Sequence, residues 1–154
     1  MTVRLAGRLA RPGRVAPGDQ CPIDRAMQAI GTRSAMLLLR EAYYGCSRFD
    51  DFVRLTGLTD AVTAGRLRDL VDAGLLTREP YREPGQRTRS AYALTPSGHD
   101  LMPGVFALGQ WAAVHVPHRG TPTLSHDGCA APVNVTFRCS AGHDVVEEDL
   151  VVTG

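Results

Sequence analysis

An α+β, mainly helical fold follows from three observations. Short helical runs are punctuated by glycine and capping residues. Two of them are separated only by a tight break at Thr56-Gly57. Two extended runs then flank Pro84-Gly85 before a new helix opens at Thr95-Pro96. All three lie within residues 49–99, FDDFVRLTGLTDAVTAGRLRDLVDAGLLTREPYREPGQRTRSAYALTPSGH. This order is the layout of a winged helix-turn-helix, which sets one helix and a two-stranded ribbon onto DNA. A small β-rich C-terminal extension follows it.

Each element has a local cause. Cys21-Pro22 opens the first helix, because proline suits a first turn. Ala26, Met27, Ala29 and Ile30 form its apolar stripe, and Gly31 ends it. The second helix is expected over 33–44, apolar at Ala35, Leu38, Leu39 and Ala42 and stopped by Gly45. Ser47 is the expected N-cap of a helix over 48–55. Thr59 caps the next, over about 60–73, with Leu67, Leu70 and Val71 inward at i, i+3, i+4 spacing. Gly74 suits its C-terminal stop. Residues 75–81 and 89–94 read as the two strands of the wing, with Tyr92 and Leu94 at period two. The helix from Thr95-Pro96 runs to about residue 116, with a stripe of Leu101, Val105, Leu108, Trp111 and Ala112, and Pro117 closes it.

Three domains are expected: a flexible basic arm over 1–20, a winged helix-turn-helix over 21–117, and a β-rich extension over 118–154. In the extension PVNVTF and DVVEEDLVV read as strands. The 154 residues carry a net charge of only +1, so affinity for nucleic acid has to come from local arginines, not from bulk charge. The arm has four arginines against one acid, while residues 117–154 have two against five. With 44% hydrophobic residues a sizeable core is available, yet no apolar run approaches the roughly 18 residues of a membrane span. No secretory signal is read at the N-terminus, so the cytoplasm is expected.

On the second helix of the pair, Thr59, Asp60, Ala61, Thr63, Ala64 and Gly65 are expected to face base edges. Small side chains let a helix sit close in the major groove, and Thr and Ala methyls can touch thymine. Asp60 can accept from cytosine N4 or support the helix N-terminus. Arg66 and Arg68 suit phosphates. In the wing, Arg82, Arg87 and Arg89 are expected to follow the DNA backbone or enter a narrow minor groove. Arg87→Ala should weaken binding and flatten its salt dependence. The plainer alternative is an amphipathic helix and a hairpin tip that are merely solvated.

These segments resemble the HxlR-type bacterial transcription regulators, relatives of the MarR type. The resemblance rests on CPIDRAMQAIG, LLLREAYYG, SRFDDF, GLTDAVTAGRLRDLVDAGLL, YREPGQRTRSAYALTPSGHDL and GQWA, and covers about residues 21–116. It implies a homodimeric DNA-binding regulator on a palindromic operator, a repressor, responsive to redox state or to a small-molecule effector. Some members sense oxidants or electrophiles through the cysteine of the CP motif, here Cys21. The chain departs from the family pattern in two places. GTRSAM replaces the usual GGKW-like stretch, and Asp60-Ala61 stands where a lysine is common.

Two further sets of residues carry chemistry. The cysteines Cys21, Cys46, Cys129 and Cys139 are expected to be free thiols, metal ligands or redox sensors, with Cys46 structural. His126, Cys129, Cys139 and His143 flank a strand-like run, as mixed ligands of a structural zinc ribbon would. A Cys129–Cys139 bridge or plain thiols fit the same spacing. No GxSxG, HExxH, P-loop or dinucleotide fingerprint is present, so no enzyme is expected. The alternative function is a winged-helix adaptor that binds protein and not specific DNA.

Overall fold

The computed structural model describes residues 3–13, 21–82, 85, 88–117, 120 and 122–153. In chain order the elements are β1 (Arg4–Ala6), α1 (Pro22–Ile30), α2 (Arg33–Tyr43), α3 (Phe49–Thr56), α4 (Asp60–Asp72), β2 (Leu76–Tyr81), β3 (Arg89–Leu94), α5 (Pro96–His115), β4 (Phe137–Arg138), β5 (Asp144–Val145) and β6 (Val151–Thr153). Single 3-10 turns lie at Gly7–Ala10 and Glu147–Asp149. The chain divides into two compact units, Asp19–Gly109 and Met1–Gly18 with Gln110–Gly154.

In the first unit, the i, i+3, i+4 spacing of apolar residues becomes one core. Leu38 and Leu39 of α2, Phe52 of α3, Leu67 and Leu70 of α4, and Leu76 of β2 are all buried. Phe52 meets Tyr92 of β3 edge to face, with ring centroids 6.1 Å apart. The wing is thereby tied to the helices through the core. β2 and β3 pair antiparallel from Leu76↔Leu94 to Tyr81↔Arg89. Gly85 takes φ 77 in the connection between them, a left-handed conformation that glycine adopts without penalty. Pro84, expected beside it in the turn, lies outside the described residues.

One expected cap forms, at Thr59, a further cap forms at Thr32, and the cap expected at Ser47 does not form. Thr32 Oγ1 accepts from the Ala35 N–H at 3.2 Å, and Thr59 Oγ1 from the Val62 N–H at 3.3 Å. Ser47 does not cap the third helix: α3 begins one residue later, with Arg48 at the N-cap position and no side-chain cap. The reason is tertiary. The Ser47 carbonyl accepts from the Tyr92 N–H at 2.8 Å, and Arg48 bridges to Ala91, so this segment is held against β3.

The start of α5 is locked onto the end of α4. Thr95 Oγ1 donates to the Gly74 carbonyl at 2.6 Å and accepts from the Gly98 N–H at 3.0 Å. Tyr43 donates its hydroxyl to the Gly98 carbonyl at 2.7 Å, and burial raises the pKa of that hydroxyl. Leu101 packs against the core, whereas Leu108 and Trp111, expected on the same stripe, are exposed.

The second unit draws on both ends of the chain. Residues 4–10 do not belong to a flexible arm: β1 pairs parallel with β6, Arg4↔Val151 to Ala6↔Thr153. Residues 14–20 of that arm lie outside the described residues. The C-terminal part of this unit begins at Gln110, inside α5, ahead of the expected limit at 117. Gln110 shows why: its Nε2 donates to the Val133 carbonyl at 2.6 Å and its Oε1 accepts from the Val135 N–H at 2.9 Å. The extension is thus bonded to the end of α5. Of the two expected strands, PVNVTF yields only the start of β4 and a bridge at Pro132, and DVVEEDLVV splits into β5 and β6 around a 3-10 turn.

Candidate nucleic-acid interface

The helix pair is joined through Gly57, which takes φ 67 as the C-cap of α3. Thr56 Oγ1 donates to the Phe52 carbonyl at 2.6 Å and accepts from the Leu58 N–H at 3.3 Å, closing the turn. At 100° per residue, burial of Thr63, Leu67 and Leu70 sets which face of α4 points outward. Asp60, Ala61, Val62, Arg68 and Asp69 are exposed, and Ala64, Gly65 and Arg66 are half-buried.

Thr63 therefore cannot face base edges. It is fully buried, and its Oγ1 has no hydrogen-bond partner. The expectation failed because a threonine one turn before Leu67 was read as polar surface, while the register places it on the core face. Val62 was missed. The same helical wheel points it outward, but an apolar residue beside an apolar stripe reads as core.

The arginines are less available than their number suggests. Arg66 holds Asp69 at 2.6 Å and Arg89 of the wing holds Asp50 of α3 at 2.7 Å. Asp50 and Arg89 are 39 residues apart, so no sequence spacing announces the pair. Arg68 is exposed with no ion-pair partner among the described residues. Arg82 is exposed at the end of β2, and Arg87 lies outside the described residues. Arg78 donates to Ser90 Oγ at 2.7 Å, and the Arg48 guanidinium stacks 5.1 Å from the centre of the Tyr81 ring. An open cleft of about 460 Å³ lies between α3, α4 and the wing, lined by Phe49, Ala64, Arg78, Tyr81 and Arg89 among others.

All four cysteines are free thiols. Cys21 is the N-cap residue of α1 and is half-buried. Burial, with Asp51 nearby, pushes the Cys46 thiol up to about 11. Thiolate is the reactive form. Cys46 should thus be the slowest of the four to alkylate at pH 8, and its labelling should rise only as pH approaches 11. Mass spectrometry of iodoacetamide-treated protein checks this, with exposed Cys129 and Cys139 as the fast reference.

The four zinc-ligand candidates are not brought together. His126 Nδ1 lies 3.2 Å from Cys129 Sγ, in a turn where Ala130 takes φ 55. Cys139 and His143 close a separate hairpin through the Cys139 N–H and the His143 carbonyl, 3.0 Å apart. Among the described residues no three His, Cys, Asp or Glu side chains form a group able to hold a metal ion. A ribbon site needs four donors about 2.0–2.3 Å from one point, and here each pair closes its own turn.

Comparison with known proteins decides the family. The model of the HxlR-like helix-turn-helix family matches residues 29–119. The chain belongs to the HxlR-like helix-turn-helix family. It is 34% identical over 120 residues to the uncharacterized HTH-type transcriptional regulator Rv3095 of Mycobacterium tuberculosis, covering 77% of this chain and 75% of that one. The crystal structure of PA1607, described as a candidate transcription factor, superposes with TM-score 0.76 at 30% identity, covering 88% of this chain and 95% of that chain. The redox regulator HypR in its oxidized form superposes with TM-score 0.58 at 26% identity, covering 64% of this chain and all of that chain. This HxlR-like protein is a DNA-binding transcriptional regulator of the winged helix-turn-helix fold, not an enzyme. Among its described residues no helix is long and apolar enough to cross a membrane.

Proposed function

We propose that the chain acts in the cytoplasm as a homodimeric repressor on a palindromic operator, with α4 in the major groove and the wing along the backbone. The observation that carries this reading is the outward face of α4, where small and apolar residues precede a cation. Ala61 and Val62 are exposed in the first turn, Gly65 follows, and Arg68 stands one turn further on. Such a surface admits close approach to base edges and ends on a phosphate contact. Dimerisation is supported by apolar side chains left exposed on α1, at Ile23 and Met27, and along α5, at Leu108, Trp111 and Val114. Apolar exposure of this kind marks a protein contact, and two-fold symmetry suits a palindrome.

Two consequences concern charge. Arg68→Ala should reduce the slope of log affinity against log salt by roughly two units, the share of one phosphate contact in each subunit. Asp50→Asn should do the reverse, because it releases Arg89 from its carboxylate. Affinity should rise and the slope should steepen. Anisotropy titrations from 50 to 200 mM salt read both.

The signal is either redox state or a small-molecule effector. Cys21, at the N-cap of α1, is the redox candidate, supported by the likeness to HypR. The test is fluorescence anisotropy on DNA from upstream of the chain's own gene, against scrambled competitor, with reduced and mildly oxidised protein. Specific binding lost on oxidation, and insensitive to oxidant in Cys21→Ser, supports the thiol signal. Specific binding indifferent to oxidation points to the effector. A stable dimer that binds no DNA specifically, there or in a genome-wide selection, would favour a protein-binding adaptor.

A further inference from the structure

We propose that Val62 is a base-reading residue of α4, and that it recognises thymine through the C5 methyl group. The inference rests on the reading that α4 enters the major groove, and it specifies which chemistry is read there. Val62 is 42% exposed in the first turn of the helix, where a large apolar side chain adds nothing to the core. Its position is fixed. The Thr59 cap accepts its backbone N–H, and a β-branched side chain in a helix is confined almost to one rotamer. Its methyl groups are therefore presented in a single direction with little entropy left to lose on contact.

The surroundings narrow the partner. Ala61 beside it carries no hydrogen-bonding side chain. Neither does Gly65, three residues on, and a Cβ added there would meet nothing of this chain within 4 Å. The polar side chains nearest on this face are Thr59, whose hydroxyl accepts the Val62 N–H, and Arg66, which holds Asp69. Between Ala61, Val62 and Gly65 a base edge meets an apolar surface. Among the groups that the four bases display in the major groove, the thymine C5 methyl is the apolar one. Asp60 at one edge and Arg68 at the other remain for polar contacts, so the centre of the reading face selects by methyl group and by fit.

The test begins with a random-sequence DNA duplex pool selected on the full chain. In the enriched duplex, each thymine is replaced singly by deoxyuridine, which removes only the methyl. One position in each half-site should lose affinity by roughly fourfold, the effect of one buried methyl group. Val62→Ala should bind the thymine and deoxyuridine duplexes equally, while melting as the unaltered protein does. If every thymine tolerates deoxyuridine, or if discrimination survives in Val62→Ala, the inference is overturned. A pool that enriches no sequence would instead overturn the major-groove reading, and this inference with it.

Discussion

Replacing Gly98 by alanine is expected to lower the stability of the winged unit by about 2–3 kcal/mol, a fall in Tm of roughly 10–20 °C. Gly98 is buried where α5 starts, against the end of α4 and the beginning of β2. A Cβ there would overlap the Leu75 carbonyl oxygen and press on Leu94 Cδ2 at 3.0 Å. Most overpacking is relieved when a side chain swings away. Here the obstacle is backbone, and it is held: the Leu75 carbonyl accepts from the Thr95 N–H at 3.0 Å. Relief would require α5 to lift, which breaks the Tyr43–Gly98 and Thr95–Gly74 bonds. Thermal melting by circular dichroism reads the effect. An unchanged Tm would mean that α5 does not seat on Leu75 as described.

Gly65→Ala is expected to act with the opposite sign on stability and to impair binding. Gly65 lies in the middle of α4, where glycine is less favourable than alanine by roughly 0.5–1 kcal/mol. An added Cβ meets nothing of this chain within 4 Å, so the gain in helix propensity is unopposed and Tm should rise by about 3–8 °C. Packing within the chain thus gives no reason for a glycine at this position. Close approach of a DNA edge, in the major-groove docking proposed above, would. A methyl inserted into that contact should weaken specific binding by roughly tenfold, an overpacking penalty at the interface. Melting and anisotropy on the same preparation separate the two effects. A stabilised variant that binds normally would remove Gly65 from the interface.

The two glycines show where sequence reading stops. Gly65 stands on a helix whose register is readable, because Leu67 and Leu70 mark the inner face at helical spacing. Its role could be inferred before any coordinates. Gly98 stands in a similar helical run, and nothing in the sequence says that its α-carbon touches a carbonyl 23 residues earlier. The same division holds for the arginines. Arg66 and Asp69 are three apart and could be paired by inspection, whereas the Arg89–Asp50 pair exists only because the wing folds back onto α3. Thr63 marks an error of register, not of information: the periodicity that buries Leu67 also buries Thr63.

The termini were the least legible part. Residues 4–6 have no alternating pattern to announce a strand, and become one only because Val151–Thr153 lie beside them. Parallel pairing is contributed jointly by two distant segments, so neither end carries its signal alone. The spacing of the zinc-ligand candidates shows a related limit. Spacing placed His126 near Cys129 and Cys139 near His143, as short turns oblige, but spacing does not bring two turns to one point.

The amino-acid sequence by itself determined the order and approximate limits of the helices, the wing and the family. These depend on capping residues, glycine stops and periodicity within about ten residues of chain. The tertiary structure alone decided that Asp50 neutralises Arg89, why Gly98 has no side chain, and how β1 and Gln110 bind the extension. Those are contacts between segments far apart in sequence, and local conformational preference carries no information about them.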